Sequence, residues 1–253
     1  MRFAGQRALV TGGAAGIGRA TARALAAEGA RLALLDIDVA RLEAAATELT
    51  GGGAEALTLP ASVAEPAEVR TAFAELDARW GGLDILVNNA GVIGKRAALA
   101  LTDEDWSRVM RINLDGVFFC AREAGRRMVA QGGGAIVNLG SIYSLVAAPE
   151  RLAYCASKAA VAALTKVLAI EWAGQGVRVN AVAPGYVETD LIGTAVRAGE
   201  IDTAPLARRT PVGRLARPEE IARAILFLLD PANAYITGHV LTVDGGWTAY
   251  GYV

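Results

Sequence analysis

Along the 253-residue chain, short aliphatic runs alternate with longer segments in which apolar side chains return every three or four positions. The runs are Arg7–Val10, Arg31–Leu35, Ala56–Leu59, Ile85–Val87, Ala135–Leu139, Val177–Val182 and Val240–Val243, and they predict strands buried on both faces. The periodic segments Ile17–Glu28, Val39–Leu49, Pro66–Trp80, Asp103–Val129, Leu152–Trp172 and Pro218–Leu229 predict helices. Asp38 precedes one of them, Pro66 opens another, and Thr102-Asp103-Glu104-Asp105 brings acids to a positive dipole end. Strand followed by helix, repeated along the chain, predicts right-handed βαβ units and a doubly wound parallel sheet with helices on both faces.

The longest stretch without clear period, about Thr189 to Arg217, reads as a functional loop or lid inside a single domain spanning residues 1–253. Abundant Ala and Gly with few aromatics suit helices packed closely on a parallel sheet. Acidic and basic residues nearly cancel and are scattered, which sets nucleic-acid binding aside. Two cysteines, Cys120 and Cys155, form neither a disulfide framework nor a zinc cluster, and a reducing cytoplasm is the expected setting. No signal-type start and no stretch of membrane-spanning length are read from the chain, so a soluble protein is expected.

Directly after the first run comes Thr11-Gly12-Gly13-Ala14-Ala15-Gly16-Ile17-Gly18, opening a helix. Backbone N–H groups and a positive helix end there suit a pyrophosphate. The spacing is G-x-x-x-G-x-G rather than G-x-G-x-x-G, so context carries the reading, and a tight βα turn alone would need similar glycines. Asp36 ends the second strand, where an acid accepts hydrogen bonds from an adenosine ribose. It favours NAD over NADP, because a carboxylate repels a 2′-phosphate and neither Ala14, Ala15 nor Ile37 offers a basic partner.

These residues resemble the short-chain dehydrogenase/reductase family. Its pattern runs in order along almost the whole chain: Gly12, Gly16, Ile17 and Gly18, then Asn88-Asn89-Ala90-Gly91, Asn113, Ser141, Tyr154-Cys155-Ala156-Ser157-Lys158, and Pro184-Gly185 followed by Thr189. The resemblance implies a seven-stranded Rossmann-like sheet, a nicotinamide dinucleotide, and a homotetramer built around the two long helices. It places Asn89, Ala90, Gly91, Pro184, Gly185 and Val187 at the cofactor, with Thr189 on the nicotinamide carboxamide. Where relatives place an acid for the adenine, this chain has Ala61-Ser62-Val63, and Ser62 would offer a weaker, uncharged contact.

Tyr154 and Lys158 lie four apart on a helix and project from one face, so the ammonium would favour phenolate. An i,i+4 pair of these types is also common on plain helix surfaces. Ser141, just past the fifth strand, could hold a substrate oxygen beside Tyr154. The resemblance gives Asn113 a water-mediated proton relay to Lys158; a buried amide serving backbone groups is the alternative. Together the four residues point to hydride transfer between a dinucleotide and a small secondary alcohol, polyol or sugar hydroxyl, with the ketone as product.

Expected substrate walls are Val92, Ile93, Gly94, Ile142 to Leu145, Pro149, Glu150 and the lid from Leu191 to Arg209; Arg197, Arg208 and Arg209 could recognise an anion, and a solvated face is the favoured reading of them. Two alternatives stay open. A 3-oxoacyl-carrier-protein reductase would need basic surface, and the loops Gln131–Ala135 and Gly174–Gly176 are neutral, although Arg126 and Arg127 are near. A non-catalytic dinucleotide-binding regulator would have no use for all four site residues. The aromatic tail from Asp244 to Val253 packs either at a subunit interface or on its own sheet, His239 is expected at a buried strand start, and no metal site is read.

Overall fold

A computed structural model describes residues 1–189 and 202–251. Seven strands, β1 (Arg7–Thr11), β2 (Arg31–Asp36), β3 (Ala56–Pro60), β4 (Ile85–Asn88), β5 (Gly134–Leu139), β6 (Val177–Pro184) and β7 (Val240–Val243), form one sheet in the order β3-β2-β1-β4-β5-β6-β7. Every pairing is parallel. Strand order reverses between β1 and β4, and in such sheets a crevice opens there at the carboxyl ends.

Helices cover both faces. α1 (Gly16–Ala27), α2 (Val39–Gly51) and α8 (Pro218–Leu229) share one apolar layer, in which Leu25, Leu42 and Ile225 are buried with Val10 and Leu34. α3 (Pro66–Trp80), α5 (Gly116–Gln131) and α6 (Leu152–Trp172) share the other, in which Phe73, Cys120 and Leu168 meet Leu9 and Leu86. α4 (Asp103–Met110) precedes α5, and a short helix, α7 (Ala204–Arg209), lies in the expected lid region. The caps follow the sequence chemistry: Asp38 accepts from Arg41 N at 3.1 Å and Thr102 from Asp105 N at 3.1 Å.

Four expectations change. The single helix expected over Asp103–Val129 is interrupted by a π-helical turn at Arg111–Asp115, which separates α4 from α5. β7 and β3 are half-buried rather than enclosed, because they are the two edge strands and each pairs on one side. His239, just before β7, is exposed rather than in the core; its backbone N donates to Asn180 Oδ1 at 3.0 Å. The region of α6 is, contrary to expectation, long and apolar enough to cross a membrane by length and composition. Its small residues instead pack against β6, and Lys158 is buried within it.

Candidate active site

The carboxyl ends of the central strands open into a cleft of about 620 Å³. At its outer end the β1–α1 turn requires glycine: Gly12 has φ 61°, and a Cβ on Gly18 would stand 2.1 Å from the Gly12 carbonyl. The turn is tied to β4 by side chains. Thr11 Oγ1 accepts from Asn89 N at 3.0 Å and Ala90 N at 3.1 Å, and Asn89 Nδ2 donates to the carbonyls of Thr11 at 3.0 Å and Gly12 at 2.9 Å. Asn89 therefore holds the cradle in shape as well as lining it. α1 begins without a side-chain cap and without an acid in its first turn, so its positive end is unanswered by the chain beside Gly16 and Ile17. Thr189 reaches over this turn, and a Cβ on Gly16 would lie 3.3 Å from Thr189 Cγ2.

Asp36 lines the same end, with Oδ2 accepting from Ala14 N at 3.2 Å and Oδ1 from Asp38 N at 3.1 Å. Arg41, which the sequence reading missed, lines it too, five residues on and paired with Asp38 at 3.3 Å. Ser62 and Val63 form a wall there; the Ser62 hydroxyl accepts from Ala64 N at 3.2 Å, which leaves its proton to donate. The cradle, the uncapped helix end and the acid beyond β2 fit a dinucleotide: a pyrophosphate over Gly12–Gly18, and the adenosine ribose by Asp36.

At the inner end Ser141, Tyr154 and Lys158 converge. Ser141 begins a short 3-10 turn, in which its Oγ accepts from Tyr143 N at 3.2 Å. Ser144 is a brace rather than a wall: its Oγ accepts from Ser141 N at 3.2 Å and donates to Lys158 O at 2.8 Å. The Tyr154 phenol is held above its ordinary pKa, mainly by burial, against a hydrogen bond with Ser141 and the positive charge of Arg151, which pull it down. Lys158 is fully enclosed, burial pulls its ammonium down to about 8, and Nζ donates to the Leu139 carbonyl at 2.6 Å. Its Nζ lies 5.8 Å from the Tyr154 ring centroid.

Asn113 is fully buried in the π-helical turn. Its Oδ1 accepts from Val92 N at 2.8 Å, and its Nδ2 donates to Val92 O at 2.9 Å and to Ser157 Oγ at 3.3 Å. The amide thus clamps the strand that leaves β4. Gly91 stands between this amide and Lys158: a Cβ there would lie 3.3 Å from Asn113 Oδ1 and 3.7 Å from Lys158 Nζ. Ala90, Pro184, Gly185 and Val187 line the cleft as expected.

Of the expected substrate walls, Val92, Ile93, Ile142 and Tyr143 line the cleft, while Gly94, Ser144, Leu145, Pro149 and Glu150 do not. Leu191 to Ile201, with Arg197, lies outside the described residues. Wall residues missed include Arg151 and Tyr186. The Tyr186 and Tyr143 hydroxyls are 2.6 Å apart, and Tyr143 meets the Tyr154 ring edge-on at 6.1 Å between centroids. Tyr186 follows Pro184-Gly185 directly, and Arg151 precedes Tyr154 by one helical turn; those positions were the available signals.

Behind Tyr186 the tail packs on its own chain. Trp247 meets the Tyr186 ring at 5.0 Å, and Arg209, read as solvated, lies 4.9 Å from both Trp247 and Tyr250 rings. Arg208 is exposed as expected. The neutral loops Gln131–Ala135 and Gly174–Gly176 precede β5 and β6, at the sheet edge opposite the cleft. Within one chain they do not border the entrance, and Arg126 and Arg127 are bound to Glu123 at 3.0 and 3.1 Å. Their neutrality therefore does not bear on a carrier protein at this chain's own cleft.

A family model described as enoyl-(acyl carrier protein) reductase matches residues 12–248. Galactitol 2-dehydrogenase (L-tagatose-forming) of Cereibacter sphaeroides is 47% identical over 98% of this chain and 97% of its own. D-threitol dehydrogenase of Mycolicibacterium smegmatis is 44% identical over 98% and 94%. Among solved structures, a variant of actinorhodin polyketide ketoreductase with NADPH superposes with a TM-score of 0.92 at 35% identity, covering 97% of this chain and 98% of that one.

Proposed function

Since the chain belongs to the short-chain dehydrogenase/reductase family, we propose that it is an NAD-dependent dehydrogenase of small secondary alcohols, polyols or sugar hydroxyls. The observation that carries this reading is the convergence of Ser141, Tyr154 and Lys158 at the inner end of a cleft whose outer end holds Asp36 and the glycine cradle. When bound, the dinucleotide supplies the hydride acceptor and a positively charged ring. The Ser141 hydroxyl orients the substrate oxygen, the Tyr154 phenolate removes its proton as hydride leaves the same carbon, and Lys158 stabilises the phenolate from within α6. In the reverse direction the Tyr154 phenol returns the proton to the ketone oxygen.

Asp36 supports NAD as the preferred dinucleotide, since its carboxylate opposes a 2′-phosphate. Arg41 works the other way but is already engaged by Asp38. The names of the two polyol dehydrogenases support a free small alcohol over a carrier-bound ketone. In this reading residues 1–253 form one catalytic unit, with a lid at about 189–217 and Thr189 holding the carboxamide. The unit assembles as a homotetramer and works in the cytoplasm, where the unpaired thiols of Cys120 and Cys155 stay reduced.

The test is reduced-dinucleotide formation across a panel of polyols and secondary alcohols, with NAD and NADP in parallel. We expect turnover with a preference for NAD. Tyr154→Phe should lower kcat by about a thousandfold or more while NADH binding, read by fluorescence, persists. Near-normal turnover by that variant would remove the mechanism, and a strong NADP preference would move the assignment to a reductive role.

A further inference from the structure

We propose that Arg151 is a specificity-determining residue that receives an anionic group of the substrate, so that hydroxycarboxylates are the alcohols this cleft is built to select. The inference rests on the dehydrogenase reading and narrows its substrate class. Arg151 lines the inner part of the cleft with Ser141, Tyr143, Tyr154 and Tyr186. Its guanidinium makes no hydrogen bond or ion pair among the described residues, although its neighbours are all matched. Glu150 is held by Lys95 at 3.6 Å, and Arg96 by Asp105 at 2.9 Å. Among the described residues the one carboxylate that lines the cleft, Asp36, lies at the opposite end beside the glycine turn and holds two backbone amides. The substrate end therefore carries a positive charge that no acid of the described chain answers.

A half-buried arginine gives up hydration and regains it by binding a carboxylate, for which its planar fork is matched. Arg151 is the N-cap of α6, three residues before Tyr154, and both side chains line the inner end of the cleft. An anion held there shares the inner end of the cleft with the hydroxyl that faces Tyr154, which suits short hydroxy acids such as 3- and 4-hydroxycarboxylates. The field of Arg151 is felt at the Tyr154 phenol, which is consistent with this proximity. α6 also starts without a side-chain cap or an acid in its first turn, so its dipole adds an attraction of the same sign.

The experiment compares kcat/KM for 3- and 4-hydroxycarboxylates of four to six carbons with that for their neutral primary amides, in wild type, Arg151→Met and Arg151→Lys. The ratio of acid to amide within one protein cancels any effect of the substitution on Tyr154 itself. The expected wild-type ratio is about ten- to a hundredfold in favour of the acid, carried mostly by KM. It should collapse to about one in Arg151→Met and recover in part in Arg151→Lys. An unchanged ratio in Arg151→Met, or a wild type that oxidises polyols and amides but not the acids, overturns the inference and leaves the dehydrogenase reading standing. No reduced dinucleotide from acids, amides or polyols would remove the dehydrogenase reading, and the inference with it.

Discussion

Burial drives the Tyr154 phenol toward its neutral form and the Lys158 ammonium toward its own, and both effects are measurable. Oxidation needs phenolate, and with the phenol pKa raised, each pH unit below it cuts the phenolate fraction about tenfold. Hence kcat/KM for alcohol oxidation should climb with pH between about 7 and 9, while ketone reduction, which uses the phenol, stays level or falls. Initial rates in both directions check this, and a flat oxidation profile would exclude Tyr154 as the base. For Lys158, the folded pKa of about 8 lies below the ordinary 10.5. Between those values the unfolded chain binds more protons, so the contribution of this group to stability rises with pH across the window and is at its poorest below it. Lys158→Met should therefore raise Tm relative to wild type more at pH 7 than near pH 10, in thermal melts at the two values; an equal difference at both would contradict the buried-charge account. The sequence placed this lysine beside the phenol through the i,i+4 spacing, but spacing does not show that Nζ is held by Leu139 or that Ser141 and Arg151 are the groups easing the phenol downward. Arg41, Arg151 and Tyr186 escaped notice because lining a cleft is a property of the folded surface, with no period or composition of its own.

At the scale of elements, the seven aliphatic runs became the seven strands with ends shifted by at most two residues, since burial on both faces leaves an unbroken apolar signature in the five inner strands. The exposure of β7, one of the two edge strands, and the break between α4 and α5 were not legible for opposite reasons. β7 has the same composition as an enclosed strand but lacks a second neighbour, which is a matter of topology. The break falls at Arg111-Ile112-Asn113-Leu114-Asp115, a segment free of Gly and Pro, and it is accompanied by a tertiary contact: Asn113 matches its amide to both backbone groups of Val92. π-helical turns inside α-helices recur at functional positions, and this one carries the amide to the wall behind Gly91 and Lys158. Asn113→Ala would leave a part-buried N–H and C=O of Val92 without partners and a cavity where the buried amide stood, at a cost of about 2 kcal/mol. The expected drop in Tm is about 4 to 8 °C for a chain of this size, read by calorimetry. An unchanged Tm in Asn113→Ala would show that the clamp contributes little to the fold.

For the whole molecule, the outer faces of α5 and α6 present exposed apolar side chains that call for a cover. α6 is apolar along most of its length, yet Val167 is 51% and Ile170 79% exposed, one turn apart on the same face, with Phe118 of α5 at 41%. A helix of this hydropathy meets a membrane, another protein or a second copy of its own chain. The sheet packed behind it and the charged residues Lys166 and Glu171 on its surface oppose the first, since a spanning helix would have to leave the core to which Lys158 and Thr165 belong. Self-association answers the exposure without disturbing the cleft, which opens at the carboxyl edge of the sheet rather than on this face. The proposed homotetramer therefore predicts that Ile170→Glu, a buried charge in the assembly but a solvated one in the monomer, lowers the mass seen by light scattering toward that of a dimer or monomer. Because small residues beside Ile170 pack inward unchanged, circular dichroism of the variant should retain the native helix signal. A variant that keeps the wild-type mass would show that α6 is not the assembly face, and a wild type of about 26.2 kDa in solution would remove the tetramer altogether.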